Sequence, residues 1–193
     1  MNISAIVMAS GLSKRMKTNK LNLEINSKKI YEYILETIKK YDFHEIIIVS
    51  KDENILKKSE NLGFYGVRNK KYYLGQSESI KAGINATENT DGFMFFVADQ
   101  PFIKLTTIQK LCKEFYKNPN NIIMPYYNGT RGNPVIFPFA LKDKLMSLEN
   151  DDGGKVVINN NQDLVIRVDI ITKYENIDID TIEDYEKVKN MKM

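Results

Sequence analysis

Tryptophan is absent from the 193-residue chain, and cysteine and histidine each occur once, as Cys112 and His44. A single cysteine excludes an internal disulfide framework and fits a reducing compartment. A single histidine excludes a His-based metal cluster. No uninterrupted apolar run approaches the ~18 residues of a membrane span. The N-terminal apolar run is short and follows no basic segment, unlike a secretion signal. A cytoplasmic protein without a membrane partner is expected. The net charge is only +3, and Lys and Arg are scattered along the chain, so no nucleic-acid partner is expected either. Three motif classes are missing: the P-loop G-x-x-x-x-G-K-[ST], the dinucleotide G-x-G-x-x-G and the G-x-S-x-G nucleophile elbow. Internal repeats, low-complexity tracts and Gly/Ser/Pro linkers are missing as well.

Hydrophobic residues make up 42% and charged residues 27%, which fits one globular domain with a sizeable core. Apolar runs at Ala5–Ala9, His44–Ser50, Phe64–Arg68 and Gly92–Ala98 read as buried strands, the last as the most central. Between them, Ser27–Tyr41, Asp52–Leu62 and the segment after Ser77 carry helical spacing. Ser77 is expected to cap its helix, and Thr106 with Gln109 to form a capping box. Leu21–Ile25 alternates like a short strand. Further strands are expected at Ile122–Met124, before Pro138 and at Leu164–Val168, with short helices at Phe139–Leu148 and Lys155–Asn160. Thr181 is placed to cap a last helix. Strand and helix alternation predicts parallel βαβ units in a three-layer domain. The less regular stretch from about 117 to 175 reads as an insertion shaping a second substrate's pocket.

The chain is organised around residues 5–20, where the first strand breaks at Ser10-Gly11 into a loop bearing Lys14, Arg15, Lys17 and Lys20. Open α/β sheets bind ligands where a parallel strand ends in such a loop. Gly11 permits unusual backbone angles and close approach of a ligand. Loop N–H groups with Arg15 and Lys20 then make a triphosphate clamp; a merely solvated basic loop is the alternative. Asp99 follows the most apolar strand and falls at the same sheet edge. Asp178 and Asp180 alternate with Ile177 and Ile179, so on an extended strand both carboxylates share a face. Hard carboxylate oxygens suit Mg²⁺ or Mn²⁺ bridging a triphosphate. Asp99 as a turn residue and Asp180 as support for the Thr181 helix start are the plainer accounts. His44 reads as a surface or capping residue, and Cys112 as inert core. Tyr72-Tyr73 and Tyr126-Tyr127 read as loop pairs, either partly packed or lining a ring-shaped ligand.

Taken together, Met8-Ala9-Ser10-Gly11, Ser13-x-Arg15-Met16 and Lys20 resemble the signature of MobA-like nucleotidyltransferases. Gly75-Gln76-Ser77-x-Ser79, Ala98-Asp99-Gln100-Pro101, Arg131-Gly132-Asn133-Pro134 and Asp151-x-Gly153-Gly154-Lys155 resemble the molybdenum cofactor cytidylyltransferase branch. Asp178-x-Asp180-Thr181-x-Glu183-Asp184 is similar to the family's closing motif. The resemblance implies a three-layer, Rossmann-like α/β fold with a mostly parallel sheet, forming a single nucleotidyltransferase domain over residues 1–193. It implies transfer of CMP from CTP to the terminal phosphate of molybdopterin, with Mg²⁺ or Mn²⁺ as cofactor. Arg15, Lys20 and Asp99 would be catalytic. Ala9, Ser10, Gly11, Arg15, Lys20, Ser77 and Ser79 would bind nucleotide. Gln76, Gly132, Asn133 and Asp151 would bind the pterin substrate, and Asp99, Asp178 and Asp180 the metal. A molybdoenzyme or chaperone is the implied protein partner. Three departures stand out: Ser10 where a second small residue is usual, Lys17 where Gly is, and Lys155 where Arg is. A guanylyltransferase, a sugar- or alcohol-phosphate nucleotidyltransferase and a non-catalytic pterin-binding chaperone remain as alternatives.

Overall fold

The computed structural model describes residues 1–13, 15–16, 18–172 and 174–191. Lys14 and Lys17, two of the four cations expected in the N-terminal loop, lie outside the described residues. The chain opens with β1 (Ile3–Ala9), a small hairpin of β2 (Glu24–Ile25) and β3 (Lys28–Lys29), and α1 (Ile30–Ile38). It continues through β4 (Glu45–Ser50), α2 (Glu53–Asn61), β5 (Tyr65–Arg68), α3 (Gln76–Asn85), β6 (Gly92–Val97) and α4 (Leu105–Lys117). The remainder forms β7 (Ile122–Tyr127), β8 (Thr130–Arg131), β9 (Val135–Pro138), α5 (Lys142–Met146), α6 (Gly154–Asn159), β10 (Val165–Ile170) and α7 (Ile182–Lys189).

The main sheet runs β10-β7-β9-β6-β1-β4-β5, with β8 hanging on β7. Neighbours are parallel except at β9, which is antiparallel to both β6 and β7, and at β8. The mostly parallel α/β fold expected from the alternating pattern is therefore present. β1 is apolar apart from Ser4, whose Oγ donates to Glu45, because both its faces are covered. Ala5 and Val7 face one core with α1 and α4, while Ile6 faces the other with Ile80, Ile84 and Leu145. Cys112 is buried among apolar groups, and burial pushes its thiol up to about 11, so it is inert core. His44 is exposed, its Nε2 paired with the Glu88 carbonyl at 3.0 Å.

Several local expectations need correction. Leu21–Ile25 is not one strand: residues Lys20–Asn22 form a 3₁₀ turn, and only Glu24–Ile25 pair as β2. Asn19 starts that turn by accepting a hydrogen bond from Leu21 N, which overrides the apolar alternation. α3 begins at Gln76 behind Gly75, so Ser77 is not its cap. α4 begins at Leu105 behind Lys104, two residues ahead of the start that the Thr106 box implied, so Thr106 is not its cap. Tyr126 and Tyr127 lie in β7, not in a loop. Residues 117–175 are more regular than expected and supply β7, β9 and β10 to the sheet.

Gly83 sits where α3 crosses β1 and β4. A Cβ there would come within 2.4 Å of Ile6 Cγ2 and 3.3 Å of Val49 Cγ2. Both neighbours are β-branched residues of central strands and cannot swing away. Gly83→Val is expected to lower the thermal midpoint by about 4–10 °C through overpacking. A melt indistinguishable from wild type would contradict this close packing.

Candidate active site

Three backbone returns bring the site together. β1 and β6 are parallel neighbours with Met8 beside Val97, so the loop after β1 and Asp99 emerge at one edge. The C-terminal segment then lies against Asp99: Ile179 N donates to the Asp99 carbonyl at 3.2 Å, and the Ile179 side chain is fully buried. Thr181 caps α7 reciprocally with Asp184, which ends this segment in a defined turn. Asp178 and Asp180 thus sit in an irregular segment anchored by main-chain bonds, not in the expected strand.

The Lys20 ammonium is the meeting point. It donates to Asp99 Oδ2 and, at 2.7 Å, to Asp180 Oδ1. Arg15 Nη2 donates to Asp180 Oδ2 at 2.7 Å from a far more exposed position. Burial alone would lower the Lys20 ammonium, but Asp99 and Asp180 outweigh it and hold it above the usual lysine range. Burial would likewise raise Asp180, yet Lys20 and Arg15 hold it below the usual carboxylate range. Asp178 turns aside. Much of its surface is exposed, while its Oδ1 accepts from Gln100 Nε2 at 2.8 Å. Burial of this carboxyl, then the charge of Asp99, push it up to about 6.

These groups stand on a cavity of about 600 Å³ lined also by Ser10, Gly11, Gln76, Ser79 and Asp151. A second cavity of about 350 Å³ adjoins it and contains Gly132, Asn133, Arg131 and Lys155 on a largely apolar floor. Met8 and Gln76 belong to both walls. The structure therefore brings together Ser10, Gly11, Arg15, Lys20, Ser79, Asp99 and Asp180, and sets Gly132 and Asn133 next door across Gln76. Asp151 falls on the larger cavity, not beside Gly132 and Asn133, because the Asn150-Asp151 backbone packs on Gly75.

Ser77, Ala9 and Gly11 are placed differently from the expectation. Ser77 is 0% exposed and its Oγ has no partner, because with Ile80 and Ile84 it lies on the helix stripe facing the sheet. Ala9 is buried at the end of β1, its carbonyl taken by Ser50 Oγ at 3.0 Å. Gly11 does not adopt a positive φ; Ser13 does, at 50°. What Gly11 contributes is open space, since a Cβ there would meet nothing within 4 Å and the main chain lies bare to the cavity. Gly75 is the glycine the turn requires, with φ 119° and only 2.2 Å from its would-be Cβ to the Asn150 carbonyl oxygen. The signal for it was present in the sequence as a glycine just before a helix.

A loop of cations facing carboxylates at the carboxyl edge of a mostly parallel sheet defines a nucleotide-handling α/β domain. The chain belongs to the MobA-like NTP transferase domain family, whose model matches residues 5–165. It is 34% identical over 130 residues to the "Probable molybdenum cofactor guanylyltransferase" of Natranaerobius thermophilus; the match spans 66% of this chain and 62% of that relative's length. Among solved structures, it superposes on Rv0371C of Mycobacterium tuberculosis in complex with manganese with a TM-score of 0.84, at 17% identity over 100% of both chains. It also superposes on molybdopterin-guanine dinucleotide biosynthesis protein A of Archaeoglobus fulgidus with a TM-score of 0.68, at 18% identity over 96% of both chains. Among the described residues no helix is long and apolar enough to cross a membrane.

Asp178 supplies a test of the site's electrostatics. Its folded value of about 6 lies above the ordinary 3.8, so its protonated form favours the fold at low pH. That contribution is lost as pH rises through about 6, and the charged carboxylate opposes folding above it. In metal-free buffer, Asp178→Asn should raise the thermal midpoint at pH 8, by on the order of 2 °C given the side chain's exposure. No gain is expected at pH 4. An equal gain at both pH values would contradict the crowding of negative charge.

Proposed function

We propose that this chain transfers a nucleotidyl group from a nucleoside triphosphate to the terminal phosphate of a molybdopterin-type acceptor. The observation that carries the reading is Lys20, bonded to Asp99 and Asp180 on the wall of a cavity that shares Met8 and Gln76 with a second one. The acceptor phosphate oxygen forms a bond to the α-phosphorus, the bond to the β-phosphate oxygen breaks, and pyrophosphate leaves. The nucleophile is already an anion at neutral pH, so no general base is required. The reaction instead needs two anionic phosphates held in line with their repulsion neutralised.

Each residue has a part in that scheme. The bare Gly11 backbone with Arg15 and Lys20 holds the triphosphate, and Ser10 and Ser79 flank it. Gly132, Asn133, Arg131 and Lys155 surround the acceptor, while Gln76 stands between the two substrates. Asp99 and Asp180 offer hard oxygen donors, and among the described residues no cluster of three or more His, Cys, Asp or Glu is arranged to hold a metal alone. Two carboxylates fit a Mg²⁺ or Mn²⁺ ion that takes its other ligands from phosphates and water. When bound, such an ion withdraws charge from the phosphate oxygens.

Two bases have support. The Gly75–Ser79 and Ala98–Pro101 motifs favour CTP, and the name of the Natranaerobius thermophilus relative favours GTP. A pyrophosphate-release panel over four nucleoside triphosphates, with and without molybdopterin, separates them. Acceptor-dependent release with CTP or GTP supports the proposal. Release driven by a sugar or alcohol phosphate instead, or nucleotide binding without turnover, would overturn it. In the active reaction, Lys20→Ala should cut kcat at least ~100-fold. Near-normal turnover at saturating nucleotide would remove Lys20 from the chemistry.

A further inference from the structure

We propose that Tyr73, propped by Tyr72, is the stacking ledge for the nucleobase of the triphosphate. This rests on the nucleotidyl-transfer reading and adds to it the part of the substrate that the charged groups leave unaddressed. Cations and carboxylates on the larger cavity face phosphates. The same wall also carries apolar groups that the phosphates do not explain. Leu12 is 40% exposed, Leu74 47% and Tyr73 65%, and all three line the cavity. Large apolar groups left open in an otherwise polar cleft mark the apolar part of a ligand.

Topology selects which part. The acceptor cavity sits over β6, β9 and β7, through Phe95, Val135 and Met124. Phosphate-facing groups follow β1 and β6. The half of the cleft left for the nucleoside is walled by the segment that follows β5, a strand on the other side of β1. The tyrosines occupy that half, on the single 3₁₀ turn Tyr72–Leu74 between β5 and α3.

The turn is anchored. Asn69 is buried; its N–H donates to the Ser50 carbonyl at 2.9 Å and its Nδ2 donates to Ser79 Oγ at 3.0 Å. Asn69 Oδ1 accepts from Lys71 N at 3.0 Å, and Leu74 N closes the turn on the Lys71 carbonyl at 2.9 Å. The Tyr72 ring is engaged from two directions. Lys51 Nζ lies 4.7 Å from its centroid, and the Tyr73 ring meets it edge-to-face at 5.9 Å. Tyr72 is thereby fixed and Tyr73 is presented. An aromatic surface pre-set in this way loses little conformational entropy when a base stacks on it.

The test is equilibrium binding to the intact chain with Mg²⁺ and no acceptor, comparing CTP and GTP with inorganic tripolyphosphate. Tyr73→Ala should weaken the better-bound nucleotide about tenfold or more, the scale of one base–aromatic stack. Tripolyphosphate affinity should not change, and Tyr73→Phe should restore nucleotide affinity. Equal losses for nucleotide and tripolyphosphate, no loss at all, or a wild-type chain that binds nucleotide no better than tripolyphosphate would each overturn the ledge. The two proposals fail separately. An incorrect acceptor assignment leaves this binding difference intact, because no acceptor is present. An incorrect ledge leaves acceptor-dependent pyrophosphate release by Tyr73→Ala at its wild-type nucleotide KM.

Discussion

The carboxyl edge of the sheet is held together by one ammonium group shared by two carboxylates. Lys20 comes from the loop after β1, Asp99 from the end of β6 and Asp180 from the approach to α7. These positions are 79 and 160 residues from Lys20 along the chain. They meet because β1 and β6 are parallel neighbours and because Ile179 fastens the C-terminal segment to the Asp99 backbone. Removing one partner of such a part-buried cluster leaves charge incompletely compensated, so the fold has reason to keep all three together.

The charge balance of this edge connects structure to the proposed chemistry. Among the described residues Asp99, Asp178 and Asp180 outnumber Lys20 and Arg15, and burial, then the charge of Asp99, pushes the Asp178 carboxyl up to about 6. A site with surplus carboxylate suits a cation that arrives with its nucleotide. Anionic phosphates, conversely, give Lys20 and Arg15 an alternative to the carboxylates they now hold. The adjoining cavity beyond Gln76 and Met8 would give the proposed second substrate a place of its own. Two cavities with one shared wall are the geometry that joining two molecules requires.

Much of the fold was legible because the strands are buried on both faces and therefore read as continuous apolar runs between helix-spaced segments. The approach of Lys20 to Asp99 was legible for the same reason: the parallel strands β1 and β6 end at the same edge. Less visible were features set by side-chain direction and local polar bonds. Ser77 looked like a ligand contact, yet one residue's rotation on α3 buries it, while Gln76 and Ser79 reach the cleft. Asp178 and Asp180 alternated like a strand, but capping of α7 and main-chain bonds to Asp99 claimed that segment. Gly75 was legible as a turn glycine before a helix, but its packing against the Asn150 backbone was not, because Asn150 is distant in sequence. Tyr72 and Tyr73 were visible as a loop pair, either partly packed or lining a ring-shaped ligand; the anchorage of their turn through Asn69 is a tertiary fact.

A crystal structure with Mn²⁺ and a non-hydrolysable nucleoside triphosphate addresses the central claim directly. The account predicts an anomalous manganese peak in contact with Asp99 and Asp180, with the triphosphate along the Gly11 loop and the Lys20 ammonium turned onto its oxygens. Manganese bound away from both carboxylates, or a triphosphate lodged elsewhere while Lys20 keeps its present partners, would contradict it.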